Sequence, residues 1–222
     1  MSIRPSVYPV SDIEPIRQAL GSGDASLVER IREAYLQRER ALYRDDFDEE
    51  ELPKDESDDE DSDDVEEFEL DEEELEEITE LAQAFIKGEL EDGKEPGVWT
   101  EVNVLLAHAL DLMESKVPVN DDWKWIAWRD YFDYVSPWLA EQPRELLRHL
   151  AAGRPLRARA IDEDGCFFAW LTRDEVINLL AALRNMAEEH PEVASEDFID
   201  GFHEELIEWL GECEGRCLLL DA

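Results

Sequence analysis

Basic residues are scarce in this chain. Its 222 residues include 21 Lys and Arg against 60 Asp and Glu, a formal net charge of −39. A charge of that sign and size repels nucleic acid and anionic membrane surfaces, so neither is an expected partner. It attracts basic proteins and, weakly, divalent cations. Lysine is the rarer base, five against sixteen Arg, a ratio that adaptation to salt and high-GC coding would both give. Cysteine is almost as scarce. Cys166, Cys213 and Cys217 form an odd set, and the opening residues lack the apolar core of a signal peptide. Together these predict a soluble protein in a reducing, cytoplasmic compartment. No hydrophobic run approaches the roughly 20 residues of a membrane span. Phosphate-binding glycine loops, HExxH and G-x-S-x-G are missing too. No cofactor is expected, no enzyme class is specified, and the balance leans towards a non-enzymatic role.

The chain does have material for a core. Hydrophobic residues make up 43% and seven Trp are present, enough apolar surface for one domain spanning residues 1–222. Acid is concentrated in one place. Residues 45–80 hold 24 Asp or Glu and one base, Lys54. From 45 to 67 apolar residues are few, and Pro53, Ser57 and Ser62 interrupt them; an acidic flexible loop is therefore placed at 45–69. From Leu70 the pattern changes. Asp71 with Glu74 reads as a capping box, and Leu75, Ile78, Leu81, Ala82 and Phe85 recur at helical spacing up to a stop at Gly88.

Residues 6–10 read as a short strand, with Pro9 placing it at a sheet edge. Ser11 and Glu14 form the first capping box, heading a helix to Leu20. Asp24 or Ser26 caps a second helix to about Arg44, carrying Arg30, Arg32, Arg38, Arg40 and Arg44. After Pro96 and Gly97 a helix runs through Val102, Leu105, Leu106, Ala109, Leu110 and Met113 to Pro118. An aromatic segment follows at 123–138, after which Ser136 and Pro137 start a helix ending at Gly153. Residues 156–160 and 166–171 flank Asp162 to Gly165 as a hairpin. Thr172 with Glu175 is a third capping box, for a helix that ends at His190 and Pro191. Ser195 caps a last helix through Trp209 and Leu210, and Gly215 turns the chain into a strand at 217–220. The architecture expected is a helix-rich α+β single domain, with a small sheet of short strands from both termini and a central hairpin.

Val7-Tyr8-Pro9-Val10 followed by Ile16-Arg17-Gln18-Ala19-Leu20-Gly21-Ser22-Gly23-Asp24 resembles the opening of certain uncharacterised bacterial proteins. Phe168-Ala169-Trp170-Leu171-Thr172-Arg173-Asp174-Glu175-Val176 is similar to their strand-to-helix entry. Trp209-Leu210 and then Arg216-Cys217-Leu218-Leu219-Leu220 look like their closing helix and strand. The group resembles the YfbM-type small α+β proteins. The resemblance covers roughly the first 25 and last 65 residues and implies a fold, with no site residues to transfer. The acid run departs from it.

Two stretches are candidates for function. In the acid run, Asp58, Asp59, Glu60, Asp61, Asp63 and Asp64 are candidate contacts to a basic protein, where complementary charge speeds encounter. A solvated loop, a solubility spacer and an internal partner for the arginine-bearing helix are the other readings. A calcium loop fails on register. Asp59, Asp61 and Asp63 suit positions one, three and five, but Asp64 stands where Gly is wanted and Leu70 where Glu is needed. Trp123, Trp125 and Trp128 cannot share one helical stripe, since two-residue spacing turns side chains by about 200°. They are candidates for a partner surface, or for a small-molecule or enzyme pocket near 123–138, against an aromatic core seam. Cys213 and Cys217 lack a second ligand cluster and read as buried structural thiols. His108 reads as core or near-core. His149 and His190 sit where a helix C-terminus favours a partly charged imidazole, and His203 faces acids that would raise its pKa. The leading function is an acidic factor of inhibitor or immunity type that binds a basic protein.

Overall fold

The computed structural model describes residues 6–49, 72–89, 96–113, 125–154, 168–194 and 201–221, with side chains described except at 41–49, 96–101, 125–128 and 221. Its centre is a three-stranded antiparallel sheet. Strand β1 (Ser6–Val10) and strand β2 (Phe168–Leu171) both pair with the C-terminal strand β3 (Cys217–Asp221), which lies between them. Val7 stands opposite Leu220 and Ala169 opposite the same residue from the other side. Pro9 has no amide hydrogen to give a second neighbour, and β1 is indeed an outer strand.

Side chains alternate across this sheet, and both faces are covered. Leu218 and Leu220 enter one core with Val7, Ala169 and Leu171. Cys217 and Leu219 enter a second with Val10, Phe168 and Trp170. Against the second face pack α1 (Glu14–Ala19), α2 (Ala25–Glu49), α3 (Glu72–Lys87) and α4 (Pro96–Ala109). Against the first pack α5 (Trp125–Val135), α6 (Glu141–Ala152), α7 (Arg173–Glu189), α8 (Pro191–Ala194) and α9 (Phe202–Glu212). The protein is therefore a helix-rich α+β fold with its sheet as the middle layer. An antiparallel sheet more often keeps one face in water; burial of both explains why β3 is nearly continuous Leu.

Several helix ends differ from the sequence reading. The Ser11–Glu14 box does not form: α1 starts at Glu14, whose N–H donates to Asp12 Oδ1 at 3.0 Å, and Ile13 is the N-cap. An Asp two residues upstream reaches that amide more directly than Ser11 does. Helix α2 continues to Glu49, so residues 45–49 belong to it and not to a loop. No Gly or Pro occurs between Arg44 and Pro53 to stop it. Helix α4 ends at Ala109 rather than near Pro118. Leu112 N–H bonds to Ala107 O (3.0 Å) and Asp111 N–H to His108 O (2.9 Å), with Asp111 at φ 55°, and Met113 goes on to bridge Val10. Ser136–Trp138 is a separate 3₁₀ turn, because Arg144 ties the Ser136 and Leu139 carbonyls (2.8 Å each) before α6 begins.

Other signals hold. Thr172 and Glu175 form the full capping box of α7, and Gly88, Gly153 and Gly215 all take positive φ at helix ends. The last helix starts after Gly201. Its predicted cap Ser195 lies outside the described residues, as do the Asp71 cap, the hairpin strand 156–160 with its turn, and residues 50–71 of the acid run. Gly23 shows what its glycine is for. At φ 70° its N–H reaches Ile86 O at 2.9 Å, satisfying a carbonyl at the end of α3.

Candidate functional site

Helix α3 presents the acidic surface that the structure describes. Leu75, Ile78, Ala82, Phe85 and Ile86 are buried against α2 and α4, which fixes the helix about its axis. Glu72, Glu73, Glu74, Glu76, Glu77 and Glu80 are consequently turned to solvent. The first three also lie on the positive end of the helix dipole, where carboxylates are favoured. A fixed row of glutamates directly continues the acid run.

The candidate contacts Asp58, Asp59, Glu60, Asp61, Asp63, Asp64 and Trp123 lie outside the described residues. Trp125 and Trp128 are placed on α5, but their side chains are not described. The remainder of the aromatic segment is largely core. Tyr131 and Val135 are buried, and Phe132 and Tyr134 pack on the same cluster. Trp138 is the exception, 46% exposed with its ring 4.5 Å from that of His190.

Tyr131 leads to a residue that the sequence reading misjudged. His203 is 2% exposed, and its Nδ1 lies 2.6 Å from the Tyr131 hydroxyl. Burial holds its pKa below the ordinary value, outweighing the upward pull of Glu204. The expected rise fails because α9 turns this imidazole into the core, away from most of its acidic neighbours. His149 is also lowered, first by burial and then by Arg154, despite its place in the last turn of α6. The thiols Cys213 and Cys217 are both buried and free, and burial pushes Cys213 up to about 12. They enter different cores.

Another polar cluster sits beside β2. The Arg154 guanidinium lies 3.7 Å from the Trp170 ring centroid and donates to both Glu175 carboxylate oxygens (2.7 and 3.1 Å). Glu175 Oε2 also accepts the Thr172 N–H at 2.8 Å. This network locks the end of α6 to the start of α7 and is structural.

His108, read as core or near-core, is exposed and lines a cleft. The cleft measures about 530 Å³ and lies between α2 and the end of α4. Its walls are Arg30, Glu33, Ala34, Gln37 and Arg38 on one side and His108, Ala109 and Asp111 on the other. Arg30 reaches Asp111 at 3.9 Å. Arg38 stacks 5.4 Å from the Tyr35 ring centroid and bonds Glu39 at 3.1 Å. Partial burial, then Arg38, hold the His108 pKa below its ordinary value. Its place between Ala107 and Ala109 suggests the core or its edge, but within α4 Leu105, Leu106 and Ala109 are among the buried positions, and His108 faces outward.

Among the described residues no group of three His, Cys, Asp or Glu is arranged to hold a metal ion, and no helix is long and apolar enough to cross a membrane. No family model, curated protein or solved structure matches this chain.

Proposed function

We propose that this protein is a non-enzymatic, cytoplasmic binding factor whose ligand is a basic protein. The supporting observation is the exposed glutamate row of α3, continuous with the acid run and held rigid by a buried opposite face. A pre-positioned row of charge accelerates encounter with a basic partner and loses strength as salt rises. Loose binding of divalent cations by the same carboxylates is part of this proposal, and kinship with the YfbM-type proteins is a separate proposal resting on the residues quoted above.

The test is affinity capture with the full chain at about 50 and 500 mM salt, spanning the range over which screening becomes strong. It is run in parallel with a Glu73→Gln, Glu76→Gln, Glu77→Gln, Glu80→Gln variant and with an Asp58 to Asp64 acid-to-amide variant. Basic proteins retained at low salt, released at high salt and reduced by either variant are expected. A bound set indifferent to both salt and substitution refutes the proposal.

A further inference from the structure

We propose that the cleft between α2 and α4 binds a small carboxylate- or phosphate-bearing anion, held between Arg30 and Arg38 with His108 on the facing wall. In a chain with nearly three acids for every base, this concave site gathers two arginines and an imidazole against two acids, Glu33 and Asp111. Its volume, about 530 Å³, lies in the range of ligand pockets, roughly 300–1,000 Å³. Arg30 and Arg38 are eight residues apart on one helix, hence on one face and about 12 Å apart along the axis. Ala34 between them and Ala109 opposite leave the space open.

The two arginines stand ready in different ways. Among the described residues Arg30 is ion-paired by a long contact to Asp111, with both side chains exposed, an interaction that an incoming anion replaces at little cost. Arg38 is positioned in advance by Tyr35, which is 1% exposed, and by Glu39. Asp111 occupies a left-handed backbone position that a glycine usually fills. Glu33 shares the wall and opposes an anion, so it limits affinity and supplies a test of sign.

The probes are inorganic phosphate and citrate, titrated separately into the full-length protein at constant ionic strength. His108 imidazole resonances, assigned with a His108→Gln variant, are the readout. A saturable shift with either probe is expected, with the His108 pKa rising by roughly one unit as the anion offsets Arg38. Which probe saturates identifies the oxyanion. Arg30→Gln and Arg38→Gln each remove a charge-assisted hydrogen bond and weaken binding about tenfold or more, whereas Glu33→Gln tightens it. If Arg38→Gln does not fold, the exposed Arg30 and Glu33 variants carry the comparison. No saturation with either probe, or a response unchanged in Arg30→Gln and Glu33→Gln, overturns the proposal.

Discussion

Replacing Tyr131 by Phe removes one oxygen atom and should cost this protein a sizeable part of its stability. Tyr131 is fully buried and His203 nearly so, and their hydrogen bond of 2.6 Å joins α5 to α9 inside the core. Burial keeps the Tyr131 phenol protonated far above neutral pH and keeps His203 neutral. The hydroxyl and Nδ1 share this bond, with the imidazole tautomer setting which of them donates, and Nε2 has no partner among the described residues. Phe at 131 would leave both ring nitrogens of His203 unsatisfied in an apolar setting. An orphaned buried donor or acceptor costs about 1–3 kcal/mol. Taking about 2 kcal/mol, the melting temperature of a chain this size should fall by roughly 4–8 °C. Urea unfolding at pH 7.5 measures the loss directly. Adding His203→Leu to Tyr131→Phe removes the stranded imidazole as well, so the double variant should recover part of the loss. A Tyr131→Phe protein within about 0.5 kcal/mol of the parent would refute the reasoning, as would a double variant whose losses simply add.

Acid should destabilise the fold in a defined window. His108, His149 and His203 all have folded-state pKa values below the ordinary 6.5, so their contribution is complete above about pH 6.5. It is lost as pH falls from there through the folded values, most at the buried His203 and least at the exposed His108, where solvent screens the effect; denaturant midpoints from pH 8 to 5 check this, and His203→Leu should flatten the slope. At Glu175, burial acts to raise the pKa, but the hydrogen bonds from Arg154 and Thr172 leave it lowered from 4.5, which adds a second loss as pH falls below that value. Glu175→Ala removes a part-buried ion pair and the reciprocal half of a capping box and should cost about 2–3 kcal/mol by thermal melting; a loss under 0.5 would assign the network no structural weight. Gly23→Ala meets no atom within 4 Å of the new Cβ, so only the φ of 70° opposes it, at about 1–2 kcal/mol. An unchanged melting temperature would show that the loop relaxes.

Local signals were readable in the sequence where a residue acts on its own backbone. Thr172 with Glu175, the glycine stops and Pro9 at a sheet edge are such cases, and each depends on contacts within a few positions. What could not be read depends on residues far apart in the chain. Ser11 with Glu14 has the spacing of a capping box, yet Asp12 competes for the same amide and wins. His203 lies among Glu204, Glu205 and Glu208, and sequence proximity suggests a raised pKa; α9 turns the ring inward to Tyr131, 72 positions away. Helix α4 ends at Ala109 and the chain turns through a left-handed Asp111, where nothing as plain as a glycine announces the end. The two-sided sheet did leave a trace. Leu218, Leu219 and Leu220 form a continuous apolar run where a half-exposed strand would alternate.

That run also decides how much of the fold can stand alone. Strand β3 carries every strand–strand hydrogen bond of the described sheet, since β1 and β2 pair only with it. Its side chains supply both cores, and Leu218, Leu219 and Leu220 are at most 2% exposed. Burying three leucines contributes roughly 5–9 kcal/mol, which is comparable with the whole stability of a typical domain, about 5–15 kcal/mol. A chain ending at Arg216 loses that contribution, leaves β1 and β2 without a partner and opens the seam between the two helical layers. It should lack a cooperative melt and near-ultraviolet circular dichroism, while Leu219→Ala, at about 2–5 kcal/mol, should still fold. Helices α1–α4 and α5–α9 would then be halves that need the last strand to complete either core. A cooperative transition in the truncated chain would mean that one helical layer holds its own core, and that the sheet joins two bodies already formed.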